Sequence, residues 1–116
     1  MLLGLQPRFR QRIRLIRAEL ELHDFHLFMT HRSPQRQHEL FMQGGVTRAD
    51  AWQSAHQYGL AADFARQIDG KWSWDGDFSI VKSVAEKYGC LVPMSWDAGH
   101  VESPDWRELR KHLVTL

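Results

Sequence analysis

A single cysteine, Cys90, occurs in the 116 residues. An internal disulfide and a multi-cysteine zinc site are therefore both excluded, and nothing in the chain depends on an oxidising compartment. Cys90 stands beside Leu91 and Val92 in an apolar run and reads as a small buried hydrophobe. Net charge is scarce as well: Lys+Arg 15 against Asp+Glu 14 leaves +1, with no global pull toward nucleic acid. No apolar run approaches the ~18 residues that a membrane-crossing helix requires. Met1-Leu2-Leu3-Gly4-Leu5 is too short for the apolar region of a signal peptide and meets Arg-rich sequence at once. The expectation is a chain made in the cytoplasm without a signal peptide, which something else must release if it acts outside the membrane. Internal repeats are also lacking.

What is present suits one folded domain over residues 1–116. A hydrophobic fraction of 43% and a charged fraction of 25% leave no case for general disorder. Pro7 starts a helix whose apolar face is Phe9, Ile13, Ile16 and Leu20, and Arg8, Arg10, Arg12, Arg14 and Arg17 form a solvated polar face around it. Phe25, Leu27 and Met29 suggest a short strand ending near Thr30-His31-Arg32. Ser33 caps a second helix, with Pro34 at its first position, Gln37 as capping-box partner, Leu40 and Phe41 in apolar contact, and Gly44-Gly45 as its stop. Val46 to Gln53 reads as a loop, and Leu60 to Phe64 as a buried strand. Turns at Asp69-Gly70 and Asp75-Gly76 surround Trp72 and Trp74. Phe78, Val81, Val84, Ala85 and Tyr88 make a helical stripe stopped by Gly89. Cys90 to Met94 reads as a strand broken at Pro93, and His100-Val101-Glu102 as the last strand. Ser103 caps a terminal helix with Trp106, Leu109 and Leu113 inward. Helices and short strands interleave without βαβ regularity, so the fold class is α+β: one compact domain with a small, mainly antiparallel sheet flanked by helices.

Ser54-Ala-His-Gln-Tyr-Gly-Leu-Ala-Ala-Asp63 places an imidazole and a carboxylate seven residues apart across Gly59. That is not the i, i+4 pair of a His-Glu-x-x-His helix, so the ligands would come from a turn and the strand after it. With His100 the set becomes His56, Asp63 and His100, two nitrogens and one carboxylate with a fourth position open, a common arrangement for catalytic zinc. Taken singly, each of these histidines is more often a surface or hydrogen-bonded residue than a ligand, and the joint pattern is what changes the odds. Asp97, just before His100, reads either as a turn acid or as a carboxylate beside the metal that takes a proton from water. Glu102 shares a strand face with His100, where it either orients that ligand or meets solvent. Arg32, at a strand end, is the best candidate cation for a developing oxyanion.

Three motifs in order carry a family resemblance. Arg32-Ser33-Pro34-Gln35-Arg36-Gln37-His38-Glu39-Leu40-Phe41 resembles the Arg-Ser-x-x-x-Gln-x-x-Leu-aromatic segment of the M15 peptidases. The stretch from Ser54 to Asp63 is similar to their Ser-x-His-x-x-Gly-x-Ala-x-Asp, and Asp97 to Glu102 to their Asp-x-x-His-x-Glu. The resemblance spans about residues 30–102. It departs at His31, where an aromatic is usual, at Val101 for a frequent phenylalanine, and in the short 44–54 loop. Leu91-Val92-Pro93-Met94 stands in the region of the usual Trp-Gly-Gly.

The resemblance implies one Zn²⁺ on His56, Asp63 and His100, Asp97 as general base and Arg32 as oxyanion cation. Ser54, Glu102, Ser33 and Gln37 would contact substrate or support the ligands. It also implies a peptidoglycan stem peptide as substrate, cut first of all at L-alanyl-D-glutamate by a monomeric enzyme of a phage or prophage lysis system. D-alanyl-D-alanine carboxypeptidase or dipeptidase action is the second expectation. A non-catalytic cell-wall binding module is the third.

Overall fold

The computed structural model describes residues 4–44, 49 and 54–114, except the side chains of residues 110 and 112–114. Helix α1, Pro7–Glu21, opens on its proline and buries Phe9, Ile13, Ile16 and Leu20. All four are at most 3% exposed, as the i, i+3, i+4 spacing of a helix facing one core requires. Asp24 takes a left-handed backbone at φ 63° and turns the chain into strand β1, Phe25–Met29. Helix α2, Pro34–Gln43, follows; a 3-10 turn, Ala55–Tyr58, then leads through Gly59 into strand β2, Ala61–Ile68. Strand β3 is Lys71–Ser73, helix α3 Ser79–Lys87, strand β4 His100–Glu102 and helix α4 Trp106–Val114.

Strand β2 organises the sheet. Its first half pairs with β4 and its second half with β3, while β1 pairs along its other edge, all antiparallel. The fold is thus α+β, with a four-stranded antiparallel sheet and four helices among the described residues. Phe64 and Val101 join Ile13, Ile16, Leu20 and Val81 in a core closed by α1 and α3. Cys90, 1% exposed, belongs to the same cluster.

Strict alternation fails in β1. Leu27 faces Phe64 and Met29 faces Asp63, so Phe28 is an extra residue between successive partners of β2. A bulge of this kind re-aims the side chains beyond it. Phe25 and Leu27 remain buried in the core, whereas Phe28 reaches the opposite side, a cleft described below. Met29 comes to lie across from Asp63 on that side too.

Several sequence expectations need correction. Strand β2 runs four residues past Phe64 and turns at Asp69-Gly70 into β3, because Arg66, Gln67 and Ile68 find backbone partners in Ser73, Trp72 and Lys71. The expected strand Cys90 to Met94 reduces to one bridge, Leu91 to Glu102, since Pro93, the next residue that would donate after Leu91, has no N–H. The Ser33 hydroxyl does cap α2, accepting from Arg36 N, but Gln37 is one residue too far on for a capping box. Phe41 and Leu109 are 39% and 38% exposed and so face outward in good part. The expected loop from Val46 to Gln53 lies, but for Ala49, outside the described residues, as does the side chain of Leu113.

Candidate metal centre and active-site cleft

Asp63 sits where three strands meet, opposite Met29 of β1 and opposite His100 of β4. The β2–β4 register alone therefore sets one imidazole beside one carboxylate. His56 arrives from the 3-10 turn, whose start is fixed by a true capping box: Ser54 Oγ accepts from His56 N, and Gln57 Oε1 accepts from Ser54 N. Gly59 ends the turn at φ 68°, a backbone region that glycine adopts without strain. A Cβ there would stand 2.5 Å from Gly4 O, so the close approach of the two segments also needs glycine. At the other end of the site, a Cβ on Gly99 would meet Phe64 O at 2.1 Å. Gly99 thus lets the chain before His100 lie against β2.

His56 Nε2 lies 3.1 Å from the Asp63 carboxylate and His100 Nδ1 also lies 3.1 Å from it. The remaining ring nitrogens are held from behind: His56 Nδ1 by Thr30 O at 2.6 Å, and His100 Nε2 by Glu102 Oε1 at 2.9 Å. Such rear contacts fix ring orientation and make the front nitrogen more basic, as they do for metal-bound histidines. Burial alone would raise the Asp63 carboxyl, but His56 and His100 outweigh it and hold it well below the usual carboxylate range. Burial likewise opposes a charge on His100; its bonds to Asp63 and Glu102 nonetheless push the imidazole up to about 10. A buried anion between two imidazoles calls for a cation. The donor set fits a divalent ion, because one atom from each of His56, Asp63 and His100 lies within 4.8 Å of the others.

The three residues form one wall of a cleft of about 1070 Å³ that also takes in Arg32, Ser54, Asp97 and Glu102. Burial, and then the Asp63 charge, push the Asp97 carboxyl above its ordinary range; His100, His56 and Arg32 pull it back. Burial lowers Arg32 from its usual value while Asp63 and Asp97 raise it, and a guanidinium stays cationic throughout. Its Nη2 lies 3.6 Å from Asp63 Oδ2, its Nη1 donates to Gln37 Oε1 at 2.6 Å, and its Nε and Nη2 approach Met29 Sδ.

Ser33 is exposed and spent on capping α2. Gln37 is 0% exposed and bonds Arg32, Gln57 and Ala49 O, behind the cleft. Glu102, 4% exposed, also lies 3.8 Å from Arg107 at the cleft's edge.

Sequence reasoning passed over Gln57. It ties the Ser54 backbone to Gln37 Oε1 and Arg32 O, so it joins the metal-ligand turn to the Arg32 segment. Its Ser-x-x-Gln spacing from Ser54 was a readable capping-box signal. Met29 and the Thr30 carbonyl were also passed over; the first needs the bulge and the second is backbone, so neither has a side-chain signature.

The class defined so far is an α+β domain with a buried His-Asp-His cluster in a cleft, and solved structures share that fold. The L-Ala D-Glu endopeptidase ChiX of Serratia marcescens is 24% identical, covering 93% of this chain and 86% of its own, with a TM-score of 0.66. The LdcB LD-carboxypeptidase, described for peptidoglycan recognition, is 15% identical over 93% of this chain and 64% of its own, at 0.63. The vancomycin-resistance D,D-dipeptidase VanXYg, solved with a D-Ala-D-Ala phosphinate analogue, is 15% identical over 93% and 55%, also at 0.63. At these identities the likeness establishes a shared fold with peptidoglycan peptidases. No protein-family model matches the sequence, and neither does any curated protein.

Proposed function

We infer that residues 1–116 form one M15-type peptidase domain, and that it hydrolyses amide bonds of peptidoglycan stem peptides with a single zinc ion on His56, Asp63 and His100. The observation that carries this reading is the buried, rear-braced His-Asp-His cluster sharing a cleft with Asp97 and Arg32. A zinc ion there would supply Lewis-acid polarisation of the scissile carbonyl and acidify a water molecule. Asp97 is the base that takes the proton of the attacking water and hands it to the leaving amine. Its raised pKa suits a group that must hold a proton in passing. Arg32 presents its guanidinium to the oxygen that turns anionic, braced by Gln37 and Met29 so that little reorganisation accompanies the charge. Ser54 and Glu102 border the same space, Ser54 setting the His56 turn and Glu102 orienting His100.

The bond proposed is L-alanyl-D-glutamate, after the ChiX likeness together with the three motifs. The setting proposed is a phage or prophage lysis system, with a monomer released to the wall from the cytoplasm. No described helix is long and apolar enough to cross a membrane. Mass spectrometry of peptides freed from purified sacculi tests the reading. New N-terminal D-glutamate is expected, and free D-alanine instead would transfer the enzyme to the carboxypeptidases and dipeptidases. Lysis that survives complete zinc removal would sink the metallopeptidase reading altogether.

A further inference from the structure

The same cleft has an aromatic side that the hydrolytic chemistry does not use. Phe28, Trp74, Phe78 and Trp96 line it together with the metal-site residues. Trp74 is 55% exposed and Trp96 59% exposed, a large indole area to leave in water. The Trp74 ring is held, not loose. It meets Phe28 edge-on at 5.2 Å and 89°, and lies near-parallel to Phe78 at 6.4 Å and 20°. Trp72 also meets Phe28 edge-on, at 5.1 Å. Alternation from the buried Leu27 turns Phe28 to this side, and the β1 bulge keeps Met29, which supports Arg32, on it as well. Ser95, whose hydroxyl can bond a polar ligand, stands on the same cleft lining.

We propose that the Phe28–Trp74–Phe78 wall is a subsite for the glycan strand, an N-acetylhexosamine ring stacking on Trp74. The inference rests on the L-alanyl-D-glutamate reading. In a stem peptide the L-alanine is amide-linked to the lactyl group of the muramyl sugar. The bond one residue further on therefore lies within roughly 10 Å of a saccharide ring. An enzyme cutting there has a sugar beside its catalytic groups, whereas one cutting at the far D-alanine end does not. A rigid, partly exposed aromatic face flanked by polar groups fits the apolar C–H face and hydroxyl rim of such a ring, at little ordering cost to the protein. An all-apolar partner would leave the Ser95 hydroxyl on the lining unmatched.

The test compares two substrates on the zinc-loaded full chain: a disaccharide-tetrapeptide and the same tetrapeptide without sugar. Wild type is expected to favour the first by about tenfold in kcat/KM, and Trp74→Ala to bring that ratio close to one, with Trp74→Phe in between. Equal hydrolysis of both substrates by wild type overturns the glycan subsite and leaves the peptidase reading standing. If neither substrate is cut, the peptidase reading fails, and titration with N-acetylglucosamine tetramer decides the subsite alone. Saturable quenching of tryptophan fluorescence that Trp74→Ala removes supports it. No quenching, or Trp74-dependent sedimentation with phosphatidylglycerol vesicles instead, overturns it.

Discussion

Asp97 and His56 line one cleft but have different things to lose. His56 offers a nitrogen to the candidate metal cluster, while Asp97 stands beside the cluster without belonging to it. His56→Ala is expected to lose both zinc and turnover; Asp97→Ala is expected to keep zinc near one equivalent and lose turnover by ~10²-fold or more. Zinc stoichiometry on the two purified variants checks the split, and a zinc-free Asp97→Ala protein contradicts it. Gln57 gives a subtler case. Gln57→Leu keeps the side-chain volume but takes the acceptor from Ser54 N and the Gln57 donor from Arg32 O and Gln37 Oε1. We expect a loss of about 1–3 kcal/mol in urea unfolding and a fall in kcat with zinc retained, because Arg32 loses part of its anchorage. At this scale the sequence displayed the residues of the His-Asp-His cluster, since their side-chain types announce their chemistry. It did not display what holds them, because Thr30 acts through its carbonyl and Met29 through a strand irregularity.

Among the elements, helices were the most legible. The four-residue and three-residue steps of Phe9, Ile13, Ile16 and Leu20 mark a buried face, and the helix follows them. Strands were legible where both faces are buried, as over Ala61–Ala65, and lost where β2 becomes exposed and polar beyond Ala65. Pairing with β3, not side-chain pattern, keeps that half extended. The junction of β4 with β2 depends on Gly99, whose backbone carbonyl accepts from Phe64 N at 2.8 Å. Gly99→Ala forces a Cβ into the Phe64 carbonyl, a backbone atom that cannot swing away. The expected cost is about 2–3 kcal/mol of stability together with weakened zinc binding, because His100 is the next residue. Chemical denaturation and a competitive zinc titration on the purified variant measure the two effects. Normal values for both would show that β4 has freedom to shift.

For the whole molecule, the zinc proposed for the site would tie a turn, the central strand and a distant strand together. Removing it with chelator is expected to lower Tm, and adding zinc at about a hundred times Kd to restore roughly 2.7 kcal/mol. Calorimetry with graded zinc checks this; a Tm indifferent to zinc contradicts it. Cys90 sets a second whole-molecule property. Burial pushes its thiol up to about 11, with Arg12 opposing. The folded chain therefore keeps a proton that the unfolded chain gives up, so the stability is complete below about 9 and is lost as pH rises through about 11. Between pH 8 and pH 10.5, wild type should lose roughly 2 kcal/mol more than Cys90→Ala, read from urea midpoints. The extra residue in β1 also shapes how this protein can change over generations. Substitutions at Phe28 alter one wall of the cleft by degrees. Deleting that one residue sets Met29 directly after Leu27, still opposite Asp63 on the cleft side, so the wall loses Phe28 while the Met29 support of Arg32 keeps its place. The aromatic wall at Phe28 and the Met29 contact behind Arg32 can therefore change independently of each other.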